Sequence, residues 1–184
     1  MGEAQAGFHG EERERLLDRV QDKARALMEK YGGCGQCVLL ALQQELDLPG
    51  GTDALKAAGF TNLGVARMGN ICGALMGSIM AMGLAAGRSS LDEPIYPRPE
   101  DVDEVYFLPR SLLRIRDFYH SFVREFGSAS CRDLQVRLFG RSYETVVMDE
   151  EEAFHKAGGH LRCAEMVGRT ARLAAETILD LPRR

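Results

Sequence analysis

Glycines stand every four residues at positions 69, 73 and 77, where the most apolar stretch of the chain, residues 71–86, begins. Residues four apart share one face of a helix, so this spacing leaves a side bare of side chains on which another helix can settle closely. The run is shorter than the roughly 20 residues a bilayer needs, and Gly83 and Gly87 interrupt it further. A membrane-dimer ridge is therefore the weaker reading. The spacing predicts a buried central helix over about residues 70–86, pressed against a second helix, the one starting at Cys34.

The remaining periodicity is also helical. Leu16, Leu17, Val20, Ala24, Leu27 and Met28 form one stripe, which predicts an amphipathic helix from Glu11 to Tyr31, with Gly32-Gly33 as its stop. A second helix is expected from Cys34 to about Leu46, ahead of Pro49-Gly50-Gly51, and a short third one capped by Thr52 or Asp53. Residues 91–110 carry four prolines among acids and read as an extended loop that turns into a long helix. Leu108, Leu112, Ile115, Tyr119, Phe122 and Phe126 mark the apolar side of that helix, and Gly127 ends it. Ser130 with Asp133 resembles a capping box opening another helix, and a last helix spans about residues 161–179. Residues 143–148 have the composition of a short strand with nothing to pair with. The expected fold is all-α: a single-domain helical bundle over residues 11–184 around the Gly-rich helix, with residues 1–10 as a disordered tail.

At 184 residues the chain can bury an ordinary core. Its net charge of −4 offers no footprint for nucleic acid. The opening residues show neither a basic-then-apolar leader nor the Ser or Thr of a myristoylation site. The expected location is cytoplasmic, where cysteine clusters are more often redox or metal-binding than structural disulfides.

Five cysteines make that point concrete. Cys34, Cys72, Cys131 and Cys163 each fall where a helix is expected to begin, and Cys37 follows Cys34 by one turn. Unpaired N–H groups and the local dipole at a helix start favour a thiolate. Four thiols so placed on separate elements predict one electropositive pocket. Cys34-Gly35-Gln36-Cys37 is also a C-x-x-C pair, with Cys34 as nucleophile and Cys37 as resolving thiol in a dithiol mechanism, although the βαβ context of that motif is missing. Only one short cysteine pair is present, which disfavours a zinc knuckle fold. Soft thiolates also suit iron–sulfur clusters.

The residues around these cysteines carry a family resemblance. Cys72-Gly73-Ala74-Leu75-Met76-Gly77 reproduces a C-G-A-x-x-G core. Tyr31-Gly32-Gly33-Cys34-Gly35-Gln36-Cys37-Val38 lies upstream, and Phe126-Gly127-Ser128-Ala129-Ser130-Cys131-Arg132-Asp133-Leu134 and then Cys163 follow. The chain resembles the redox-active C_GCAxxG_C_C family from about residue 31 to 179. The resemblance places the four family positions at Cys34, Cys72, Cys131 and Cys163, and puts Cys37 where the family commonly has alanine. It implies a small helical redox protein. Related cysteine-bearing domains stand beside haem domains in some cytochromes with an associated 2Fe–2S cluster, so an iron–sulfur cluster, 2Fe–2S being one form, or another thiolate-bound metal on those four cysteines is the leading expectation. The alternatives are zinc, a soft-metal carrier or sensor, and a cofactor-free thiol–disulfide protein using Cys34 with Cys37 or Cys72. The expected partner is a redox protein, with self-association into a homodimer left open.

Other constellations weigh less. Glu152-x-x-His155 and Asp117-x-x-His120 have di-iron spacing but lack the further inward carboxylates such a site needs. His160, three residues before Cys163, is a candidate ligand or hydrogen-bond donor to a bound thiolate. Arg67, Arg88 and Arg132 lie near the cysteine segments and could offset thiolate charge.

Overall fold

A computed structural model describes residues 10–93, 102–103 and 108–181. The expected tail, apart from Gly10, and most of the proline-rich loop lie outside these residues. The described residues form eight helices and no sheet: α1 (Glu11–Tyr31), α2 (Cys34–Leu46), α3 (Gly51–Ala57), α4 (Gly73–Ala86), α5 (Arg110–Phe126), α6 (Cys131–Phe139), α7 (Met148–Lys156) and α8 (Gly159–Leu179). The fold is all-α.

The stripe expected on α1 is the buried one: Leu16, Leu17, Val20, Ala24 and Met28 face inward. They pack mainly on α8, whose inner face is small (Ala164, Gly168, Ala171, Ala174, Ala175). A Cβ on Gly168 would stand 2.8 Å from the Gln21 carbonyl oxygen, so the two backbones nearly touch there. α8 has α1, α2, α4, α5 and α7 as neighbours, while α4 packs on α2, α5 and α8. The Gly-rich helix thus shares the centre of the bundle with α8.

α2 and α4 cross closely. A Cβ on Gly73 would lie 2.6 Å from the Thr61 carbonyl oxygen and against the Cys34 sulfur, and one on Gly77 would stand 2.9 Å from Gly35 backbone atoms. Gly35 answers from the other side, 2.8 Å from the Gly73 carbonyl oxygen. Gly69 is not part of this ridge. It precedes the helix with φ +71 and packs on Arg132, because Cys72 is the N-cap of α4.

Four local expectations are revised. Thr52 and Asp53 lie inside α3, whose N-cap is Gly50. On α5 the fully buried residues are Phe118 and Phe122, and Leu112 and Tyr119 are 40% and 37% exposed. Residues 143–148 form a turn rather than a strand: Val146 and Val147 find no cover and α7 starts directly after them, with Asp149, Glu150 and Glu151 at its positive end. α8 begins at Gly159, which places Cys163 in its second turn.

Between α3 and α4 the chain makes a left-handed turn. Leu63, Gly64, Val65, Ala66 and Arg67 have φ of 50, 82, 61, 51 and 64. Non-glycine residues occupy that region at about 1–2 kcal/mol each, so neighbouring contacts must hold the turn. Its backbone is tied internally by Ala66 N–H to the Phe60 oxygen (2.7 Å) and Asn70 N–H to the Gly64 oxygen (3.0 Å).

Two predictions follow from this packing. Gly77→Ala should destabilise the protein by about 3 kcal/mol, because a methyl group meets α2 backbone. Gly83→Ala on the same helix, where a Cβ meets nothing within 4 Å, should stabilise it by about 1 kcal/mol; equal denaturant midpoints would contradict the close crossing. Exposed Ala66 loses no packing on becoming glycine, so Ala66→Gly should raise the melting temperature by relieving more strain than the added chain entropy costs.

Candidate functional site

Four elements bring four of the cysteines to one cavity. Gly32-Gly33, both at positive φ, reverses the chain between α1 and α2 and sets Cys34 as the first residue of α2. The α2–α4 crossing then seats its sulfur against Gly73, directly beside Cys72. Cys72 and Cys131 are joined by a short antiparallel ladder. Cys72 N–H donates to the Ala129 oxygen (2.8 Å), Cys131 N–H to the Asn70 oxygen (2.6 Å) and Arg132 N–H to the Gly69 oxygen (3.0 Å), around the Ile71–Ser130 bridge. The Ser130 cap of α6 is present as expected, its Oγ accepting from Asp133 N–H at 3.3 Å. α8 supplies Cys163.

These four thiols line a cavity of about 280 Å³, with Met28, Phe154 and Met166 as apolar wall and Lys30, Arg67, Glu151, His155 and His160 among its polar groups. Cys37 is not among the lining residues. It is buried, and its thiol donates to the Gly32 carbonyl oxygen at 2.9 Å. All five cysteines are free thiols. Among the described residues, no group of three or more His, Cys, Asp or Glu side chains is arranged to hold a metal ion.

The expected lowering of the thiol pKa values is reversed. Burial pushes the Cys34 thiol up, and the N–H groups of Leu63, Gly35, Cys34 itself and Gly73 oppose it without prevailing. Cys72 is raised well above its ordinary value by burial and then by Cys34, against the N–H groups of Leu75 and Ala74. Burial, followed by neighbouring thiols, pushes Cys163 up to about 12. Cys131 rises to about 11, again through burial, with a hydrogen bond from Gln135 opposing. Desolvation therefore outweighs the helix starts. Burial thus favours the protonated thiols, and the N–H groups around Cys34 and Cys72 oppose it only in part.

The left-handed turn serves this site twice. Leu63 directs its N–H toward the Cys34 sulfur, and Arg67 reaches across to donate to the Thr145 oxygen (2.8 Å) and the Glu151 carboxylate (2.6 Å). That guanidinium holds the Glu151 carboxyl below its usual range. His160 reaches the cavity and its ring lies 5.8 Å from that of His155. The di-iron spacing does not assemble: Glu152 pairs with Lys156 at 2.7 Å, and Asp117 and His120 are exposed on α5. Arg88 bonds carbonyls of its own loop, and Arg132 lines a neighbouring cavity. Leu63, Gln135, Glu151 and His155 enter the site without having been singled out for it. Only Gln135, one turn beyond Cys131, carried a usable positional signal.

Thiols are the most numerous polar groups of the cavity, and its one carboxylate is already engaged by Arg67. No helix among the described residues is long and apolar enough to cross a membrane. No curated protein and no solved structure matches the chain. The family described as "Putative redox-active protein (C_GCAxxG_C_C)" matches residues 33–177, most of the sequence. The chain belongs to this C_GCAxxG_C_C family, and a general redox role comes with it.

Proposed function

We propose that this chain is a small electron-transfer protein that holds an iron–sulfur cluster, with 2Fe–2S the favoured form, on Cys34, Cys72, Cys131 and Cys163. The observation that carries the reading is the meeting of these four thiols in one cavity from which Cys37 is left out. Such a cluster supplies a reversible one-electron carrier whose potential responds to hydrogen bonds and burial. The chain's own residues provide the rest. The N–H groups of Leu63, Gly35 and Gly73 at Cys34, and of Leu75 and Ala74 at Cys72, stabilise deprotonated sulfur. Arg67 neutralises Glu151, so no free carboxylate adds repulsion. Met28, Phe154 and Met166 restrict water. The physiological partner in this reading is another redox protein.

A second reading is favoured by one contact. The Cys34 sulfur packs against Gly73, next in the chain to Cys72, so these two thiols could close a disulfide, releasing two protons and passing two electrons to a disulfide of a partner protein. The Cys34–Cys37 pairing is less well supported, because the Cys37 thiol is engaged with the Gly32 carbonyl oxygen.

Anaerobic reconstitution with iron and sulfide should give absorbance between about 400 and 500 nm, as expected of thiolate-bound iron–sulfur centres. Cys34→Ser, Cys72→Ser, Cys131→Ser and Cys163→Ser should each lose colour and iron, while Cys37→Ser keeps most of both. A colourless wild type with a titratable Cys34–Cys72 disulfide would replace the leading reading by the second. Equal iron loss in the Cys34 and Cys37 variants would bring Cys37 into the site.

The raised thiols also make a pH prediction. In the metal-free protein Cys37 and Cys163 are pushed up to about 12 from an ordinary 9.0, and Cys131 to about 11. A folded pKa above the unfolded one means that the unfolded chain loses its protons first. Stability is then fully present below pH 9.0 and is lost as pH rises toward 12. Denaturant unfolding across that window should show the decline, and Cys163→Ala should flatten it.

A further inference from the structure

Gln135 lies one turn beyond Cys131 on α6 and is only 4% exposed. Its Nε2 stands 3.5 Å from the Cys131 sulfur, and its Oε1 accepts from the Tyr143 backbone N–H at 2.9 Å. A backbone N–H can only donate, so the amide oxygen must face Tyr143 and the NH2 group must face the sulfur. The orientation of this side chain is therefore dictated by its partners. Tyr143 is itself wedged among Phe139 and Phe154, with ring centroids 5.8 and 5.6 Å away.

Cys131 lacks the backbone donors that Cys34 and Cys72 have. The sulfurs of Cys34 and Cys72 have backbone N–H groups around them. The first N–H groups of α6 are all committed elsewhere: Cys131 to the Asn70 oxygen, Arg132 to the Gly69 oxygen, Asp133 to the Ser130 hydroxyl and Leu134 to the Ser130 carbonyl. The ladder that places Cys131 thus consumes the donors a helix start normally offers a thiolate. Gln135 replaces them with a side chain.

We infer that Gln135 is a positioning residue of the thiol site, whose pinned amide N–H donates to the Cys131 sulfur and orients it. The inference rests on the four-cysteine site proposed above and not on the identity of the group held there. Its test uses the full-length, reduced, metal-free protein. Iodoacetamide alkylation of each cysteine is followed at fixed pH by peptide mass spectrometry. Gln135→Met removes the donor at similar volume, and should slow alkylation of Cys131 about fivefold, the worth of one such hydrogen bond, with Cys163 unchanged. Gln135→Glu retains an acceptor for the Tyr143 N–H and turns a second oxygen toward the sulfur, so it should slow Cys131 at least as much. That variant carries the test alone if the orphaned N–H prevents Gln135→Met from folding. A merely structural role would move melting temperature and leave the ratio of Cys131 to Cys163 rates untouched. An unchanged ratio in the folded variants overturns the inference. In reconstituted protein, loss of the donor should lower the midpoint potential. A colourless wild type would instead sink the iron–sulfur reading while the alkylation ratio still decides the role of Gln135.

Discussion

The close crossing of α2 and α4 is the contact on which the site depends. Gly35, Gly73 and Gly77 let two backbones approach to distances that any side chain would block. Cys34 and Cys72 come together as a consequence, because each sits at the start of one of the crossing helices. Separating the helices by the thickness of a methyl group would part the sulfurs and remove the Gly73 N–H from Cys34. Packing and chemistry therefore share the same residues, and the apolar run around them supplies the burial that makes the crossing stable.

That burial has an electrostatic consequence. A thiol at a helix start is expected to ionise readily, yet here desolvation is the largest influence on every one of the five cysteines. The N–H groups remain in place but cannot offset the loss of water by themselves. Such an arrangement resists casual oxidation of the free thiols, since the thiolate is the reactive form. The left-handed turn at residues 63–67 contributes to this balance, since its backbone cost is incurred where it supplies both the Leu63 N–H and the Arg67 reach to Glu151.

Much of the helical architecture was legible in the residues. The α1 stripe, the Gly32-Gly33 stop, the start of α2 at Cys34 and the Ser130 cap are local patterns governed by periodicity and backbone chemistry. The C_GCAxxG_C_C family membership rests on cysteine spacing of the same kind. Local reading failed at residues 143–148, where β-branched composition suggested a strand. A strand needs a partner, and none pairs with it among the described residues. It also failed for Gly69, since the every-fourth-residue spacing continues past the point where the ladder with residues 129–132 ends the helix.

By itself, then, the sequence determined that the chain is helical, where most helices begin, and which thiols could act together. These properties depend on neighbours within a few residues. Tertiary structure alone decided that Cys37 turns to the Gly32 oxygen and away from the cavity, that α8 shares the centre with α4, and that Gln135 faces the Cys131 sulfur. Sequence spacing brings Cys37 near Gly32 and Gln135 near Cys131, but the orientation of Gln135 is set by Tyr143, and the α6 N–H groups are taken by residues 69 and 70, far away in the chain.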